Sequence, residues 1–224
     1  MSNLDFNIRD LLGLCPSSES LSQYINSLAS IVPTPDAAIP QVKSYPDAVY
    51  LNFFSLGLSL LFTPLSGYKP SSGLKFSELD NDNLALDSID FYNIPGRASF
   101  DPMAQQMSTR KAELAFSVYP ISPLVLTTLA EIGSGDINSL RPSHLDVLPA
   151  TSGKDFLQCL GEPDRKGGGA GPSSGSIGIW CEWSVDGIMV EFGGNEAKGP
   201  QAWERGKDAI WKVVTVFRPS KRAK

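Results

Sequence analysis

VYLNFFSLGLSLLF, running from Val49 to Phe62, sets two apolar, aromatic-rich runs on either side of Gly57. Each run is long enough for one strand, and a central glycine accepts the left-handed backbone that short connections between antiparallel strands require. The stretch therefore predicts a β-hairpin. Alternation puts Leu51, Phe53, Leu60 and Phe62 on a core face, with Tyr50, Asn52, Phe54, Ser59 and Leu61 on the other. The second set is also largely apolar, so that face is either covered by helices or left for an interface.

The same pattern recurs 130 residues on, when Gly57 is laid on Gly187. Tyr50 falls on Trp180, Leu51 on Cys181, Phe53 on Trp183, Leu58 on Ile188, Leu60 on Val190 and Phe62 on Phe192. The apolar strand that follows, Leu86 to Tyr92, has a counterpart from Trp211 to Phe217. Upstream, LLGLCP at Leu11 to Pro16 echoes CLGEP at Cys159 to Pro163, each closing an apolar helical segment. The expected fold is α+β, two tandem repeats of helix plus three-stranded antiparallel sheet. Residues 1–95 form the first repeat, 96–150 an irregular connecting segment broken by prolines, and 151–224 the second repeat with a basic tail, all in one compact body.

Outside the hairpins the reading is coarser. Leu4, Ile8, Leu11 and Leu12, then Leu21, Tyr24, Ile25 and Leu28, predict two short amphipathic helices split by Gly13 and Pro16. Pro33, Pro35 and Pro40 make the next stretch an extended connector. Ala112 to Val118 fits strand or helix equally.

The Y-L-N-F-F-S-L-G-L-S-L-L-F run at Tyr50 to Phe62, followed by L-D-S-I-D-F-Y-N-I-P-G-R-A-S-F from Leu86, resembles the pattern of a phagosome assembly factor family. The Leu-Gly turn with a nearby proline before a hairpin and third strand is also similar to the tandem repeats of beta-lactamase inhibitory protein and of small outer-membrane assembly lipoproteins. The resemblance to the inhibitory protein and the lipoproteins implies a non-enzymatic protein that binds other proteins on a concave sheet.

Composition narrows the chemistry. Of 224 residues, 19 are Lys or Arg against 24 Asp or Glu, a net charge of -5. That balance argues against nucleic acid as the main partner. Three cysteines, none in C-x-x-C spacing, and a single histidine argue against a zinc site. The longest apolar stretch, Leu56 to Phe62, falls short of a bilayer span, which needs about 20 residues. The N-terminal stretch carries Asp5 and Asp10 and no long apolar run, so no targeting segment is expected, and the expected location is the cytoplasm. The basic tail RPSKRAK offers a nuclear alternative.

Three features are candidates for chemistry. If Asp186 and Gly187 form a two-residue turn, Glu182 stands directly opposite Glu191, and two close carboxylates beside Trp180 are the parts of an acid-base sugar site. The glycine-rich run opening at Arg165, Lys166, Gly167, Gly168 and Gly169 presents backbone N–H groups that suit a phosphate, without the order of a nucleotide-binding loop. His144 has Ser143 beside it and Asp146 two residues on, but adjacency does not make a triad. The leading expectation is a non-catalytic protein-binding or adaptor module that captures a protein partner or self-associates. Its surface would be Tyr50, Phe54 and Leu61 with Trp180 and Met189, together with Trp203 and Arg205 as interface anchors. No cofactor or metal is expected. The alternative is a sugar or phosphate binder, or an enzyme, built on Glu182 and Glu191.

Overall fold

The computed structural model describes residues 7–94, 112–129, 141–169 and 178–220. They divide into two compact units. The first holds the described residues up to 92 with 112–120 and 215–218; the second holds the rest. The segment 96–150, expected to be a connector, thus contributes residues to each.

In the first unit, helix α1 (Glu19–Ala29) forms where Leu21, Tyr24, Ile25 and Leu28 recur at helical spacing and are all buried. The other expected helix is a single 3-10 turn, Ile8–Leu11, capped by the Asn7 side chain. It ends because Gly13 turns left-handed at φ 89 and the chain then runs beside a strand. The Gly13 N–H donates to Leu86 O at 2.8 Å, and the Leu86 N–H donates to Leu14 O at 2.9 Å.

Strands β1 (Gln41–Tyr45), β2 (Ala48–Phe53), β3 (Leu58–Pro64) and β4 (Leu84–Tyr92) lie side by side in chain order, each antiparallel to the next. Leu51 faces Leu60, which faces Ile89; Phe53 faces Leu58, which faces Phe91. These side chains and Phe62 are buried on one face, as the alternation predicts. The hairpin turn is longer than a two-residue turn. Phe54–Leu56 form a 3-10 turn closed by Gly57 at φ 57. Burial of Leu56 and a 2.8 Å bond from the Ser117 N–H to Phe54 O hold that shape. Residues 112–120 are neither strand nor long helix. A 3-10 turn (Glu113–Ala115) leads to an extended run whose Phe116 stacks on Tyr92, with ring centroids 3.8 Å apart.

In the second unit, β5 (Leu124–Thr127) and β6 (His144–Val147) form a two-stranded sheet. Helix α2 (Gly153–Leu160) starts where Asp155 accepts from the Ser152 N–H and hydroxyl, both at 2.8 Å. β7 (Arg165–Gly167), β8 (Trp180–Trp183), β9 (Ile188–Phe192) and the first part of β10 (Trp211–Phe217) follow, ordered β10-β9-β8-β7, with a one-turn helix α3 (Ala202–Arg205) before β10. Cys181, Trp183, Ile188, Val190 and Phe192 are buried on the core face, against which Phe156 of α2 packs. The end of β10 belongs to the first unit, where Thr215 donates to Asp90 at 2.8 Å.

The class is therefore α+β with a mostly antiparallel sheet. Each unit has an outer strand that the three-stranded reading lacks. β1 is short and polar, and β7 lies inside the glycine-rich run.

Candidate functional site

In the first unit, the sheet face opposite the core carries two transverse rows. Lys43, Tyr50, Leu61 and Ser88 form one, each directly opposite the next across β1 to β4. Gln41, Asn52, Ser59 and Asp90 form the other. The polar row is internally bonded: Ser59 donates to Asn52 Oδ1 at 2.8 Å. The first row is amphipathic. Tyr50 and Leu61 are half-buried, and Tyr45, 46% exposed, meets the Tyr50 ring edge-on at 6.3 Å. Partial burial and the nearby Asp90 and Asp47 carboxylates hold the Tyr50 phenol above its usual value. It stays a neutral donor.

Phe54 is not on this face. The 3-10 turn carries it off the end of β2, and its ring packs edge-on against Phe116 at 4.7 Å. Expected in the binding set, it instead stands off the Tyr50 and Leu61 row, half-buried against Phe116.

In the second unit, Arg165, Glu182 and Met189 form one row across β7, β8 and β9, and Gly167, Trp180 and Glu191 the next. Trp180 and Met189 are half-buried on the face away from the core. The indole of Trp180 lies over Gly167, where an added Cβ would come within 2.8 Å of the ring. A side chain at 167 would displace the tryptophan.

Glu182 and Glu191 do not stand directly opposite each other but are diagonal neighbours on one face. Glu182 faces Met189 and Glu191 faces Trp180, because Trp183 pairs with Ile188 and the loop has four residues, Ser184 to Gly187. Asp186 causes the longer loop. Its side chain is buried and accepts the Leu129 N–H at 3.0 Å and the Arg141 guanidinium at 2.6 Å, which pulls the turn inward. A shift of two positions keeps the faces and changes the neighbours. Each glutamate has its own partners: Glu191 pairs with Lys212 at 2.6 Å, and Glu182 takes Arg165 at 3.4 Å and the Ser184 hydroxyl at 2.7 Å.

The phosphate cradle is also corrected. Arg165, Lys166 and Gly167 pair with Glu182, Cys181 and Trp180, so this run is a strand edge and not an open loop. Gly168 and Gly169 turn left-handed, and Gly169 is buried and accepts the Gly199 N–H. Residues 170–177 of the glycine-rich run lie outside the described residues. Lys166 sits over the Trp203 ring at 5.7 Å, and Trp203 is 44% exposed on α3. Arg205 instead ties its own loop, donating to Asn195 O and Lys198 O at 3.3 and 3.2 Å.

His144, Ser143 and Asp146 are all exposed. The serine hydroxyl lies 3.2 Å from Nδ1, while the carboxylate oxygen is 3.9 Å from Nε2, beyond hydrogen-bond reach. His144 and Asp146 border a shallow cleft of about 370 Å³ with Gln158 and Cys159. Burial raises the Cys159 thiol pKa and pushes that of Cys181 up to about 11, so both are poor nucleophiles near neutrality. Among the described residues no group of three or more His, Cys, Asp or Glu could hold a metal ion, and no helix is long and apolar enough to cross a membrane.

Sequence reading missed Lys43 and Tyr45 because QVKSY looks too polar for a strand. The signal was present: Tyr45-Pro46-Asp47-Ala48 is a turn before an apolar run, and a turn implies a strand on each side.

No family model, no curated protein and no solved structure matches this chain.

Proposed function

We propose that this chain is a non-catalytic protein-binding or adaptor module of the cytoplasm, which captures a protein partner or a second copy of itself through the sheet faces turned away from the core. The observation that carries this reading is the Tyr45, Tyr50 and Leu61 cluster of the first unit, where large apolar surface stands partly exposed on a strand face beside Lys43. Partly exposed aromatic side chains on a strand face are the composition of interface anchors. Trp180 and Met189 of the second unit, with Trp203 beside Lys166, support the same reading.

The reading includes a tandem duplication, in repeats of helix plus antiparallel sheet. Its support is the order of elements: helix, short outer strand, hairpin, last strand, in each half. The hairpin loops have equal length, Phe54 to Gly57 and Ser184 to Gly187, and close on glycines at φ 57 and 59. The kinship with phagosome assembly factors and with tandem-repeat inhibitory proteins belongs to the same proposal.

The test is affinity capture from native cell extract with wild type and a Tyr50→Ala, Trp180→Ala double variant, together with sedimentation of each. The variant should stay folded and lose a captured protein, or lose self-association. Unchanged capture and unchanged sedimentation would leave these faces without a binding role. Phe54→Ala serves as the contrast, since removal of the ring packed on Phe116 should lower the melting temperature instead.

A further inference from the structure

We propose that the cleft beside α1 in the first unit binds an uncharged single-chain amphiphile with a hydrocarbon tail of about ten to twelve carbons. The cleft holds about 350 Å³ and is walled by Leu21 and Ile25 of α1 and by Leu51, Phe53 and Leu60 of the sheet. Its rim is formed in part by Ile39, 66% exposed, and Phe76, 39% exposed. An apolar occupant of the cleft would cover both side chains.

Three features define the occupant. The volume is at the small end of the range for small-molecule sites, roughly 300 to 1,000 Å³. A methylene takes about the space of a water molecule, ~30 Å³, so one tail fits and two do not. Second, no Lys, Arg, His, Asp or Glu lines the cleft, so a carboxylate or ammonium head would be desolvated with no counter-charge. Third, Ser22 and Asn26 stand one helical turn apart on the exposed edge of α1 and line the cleft. Their side chains make no hydrogen bond to another described residue, so a hydroxyl and an amide are available to a neutral polar head such as an ester or an alcohol. An apolar tail with an uncharged hydrogen-bonding end meets all three.

The site is separate from the sheet faces invoked above, and it stands or falls independently of them. The test titrates the full chain with 1-monodecanoylglycerol below its micellar concentration, in parallel with decanoate at pH 8 and with glycerol, read by calorimetry. The glyceride should bind with a 1:1 stoichiometry and at least about tenfold more tightly than decanoate, and glycerol should not bind. Two blocking variants, Ser22→Trp and Ala38→Phe, each place a ring at the cleft and leave its buried apolar wall residues unsubstituted. At least one of them should keep the wild-type melting temperature and weaken glyceride binding about tenfold or more. No binding, equal binding of decanoate, or glyceride binding that a well-folded blocking variant leaves unchanged would each overturn the proposal.

Discussion

Gly57 stands at φ 57 with the Ser117 carbonyl oxygen and the Tyr119 nitrogen against its α-carbon, so that an added methyl would overlap the first and lie 2.6 Å from the second. Both neighbours are backbone and cannot rotate away. Gly57→Ala should therefore cost about 3 kcal/mol or more in urea denaturation, combining left-handed strain with a clash. Gly67, at φ 80 with nothing within 4 Å, is the control, and alanine there should cost only about 1 kcal/mol. Equal losses would mean the 112–120 segment does not press on the turn. Arg141 offers a second test at this scale. Its guanidinium donates to Cys159 O, Leu160 O and the buried Asp186 carboxylate, joining the end of α2 to the Ser184 to Gly187 loop. Arg141→Met removes the ion-pair partner of that buried carboxylate and should cost about 3 kcal/mol. A loss below about 1 kcal/mol would mean that water reaches Asp186.

α1 is tied to the 112–120 segment by a 2.8 Å bond between the Tyr24 and Tyr119 hydroxyls. Burial raises both phenols: Tyr119 is pushed up to about 12, and Tyr24 rises well above the ordinary 10.0, helped by its neighbour. The sign follows from which state keeps its protons. Below pH 10 the folded and unfolded chains are both protonated there, and the packing contribution is intact. From pH 10 to about 12 the unfolded chain ionises while the folded chain does not, so stability falls by up to about 1.4 kcal/mol per pH unit for each group. Melting temperature should drop steeply over that window, and a Tyr24→Phe, Tyr119→Phe double variant should drop much less. The slope that remains belongs partly to Cys181, whose thiol starts to contribute above pH 9. A double variant with the wild-type slope would detach the effect from this contact.

Across the whole molecule the aromatic residues are partitioned. All six tyrosines lie in the first unit and all four tryptophans in the second, so the two fluorescence signals report the units separately. β10 contributes Trp211 to Val214 to the second unit and its remaining residues to the first. Val214→Pro removes a strand N–H at that division and should shift the tyrosine and tryptophan transitions alike, by about 3 kcal/mol. If only the tryptophan signal moves, the end of β10 contributes nothing to the first unit. What the sequence determined by itself was whatever local periodicity encodes: the α1 stripe, the strand character of Val49 to Phe62 and Ile179 to Phe192, and the inward faces of both hairpins. Burial enforces those patterns residue by residue, so they are legible without the fold. Tertiary structure alone decided the rest. β1, β5, β6 and β7 are only three to five residues long, too short for a periodic signal, and they become strands because a neighbour supplies the hydrogen bonds. The Glu182 and Glu191 neighbours depended on whether the loop closed in two residues or four, and Asp186 settled that by reaching Arg141 and Leu129, 45 and 57 residues away in the chain. Such contacts leave no periodic trace, because their geometry exists only once the chain has folded.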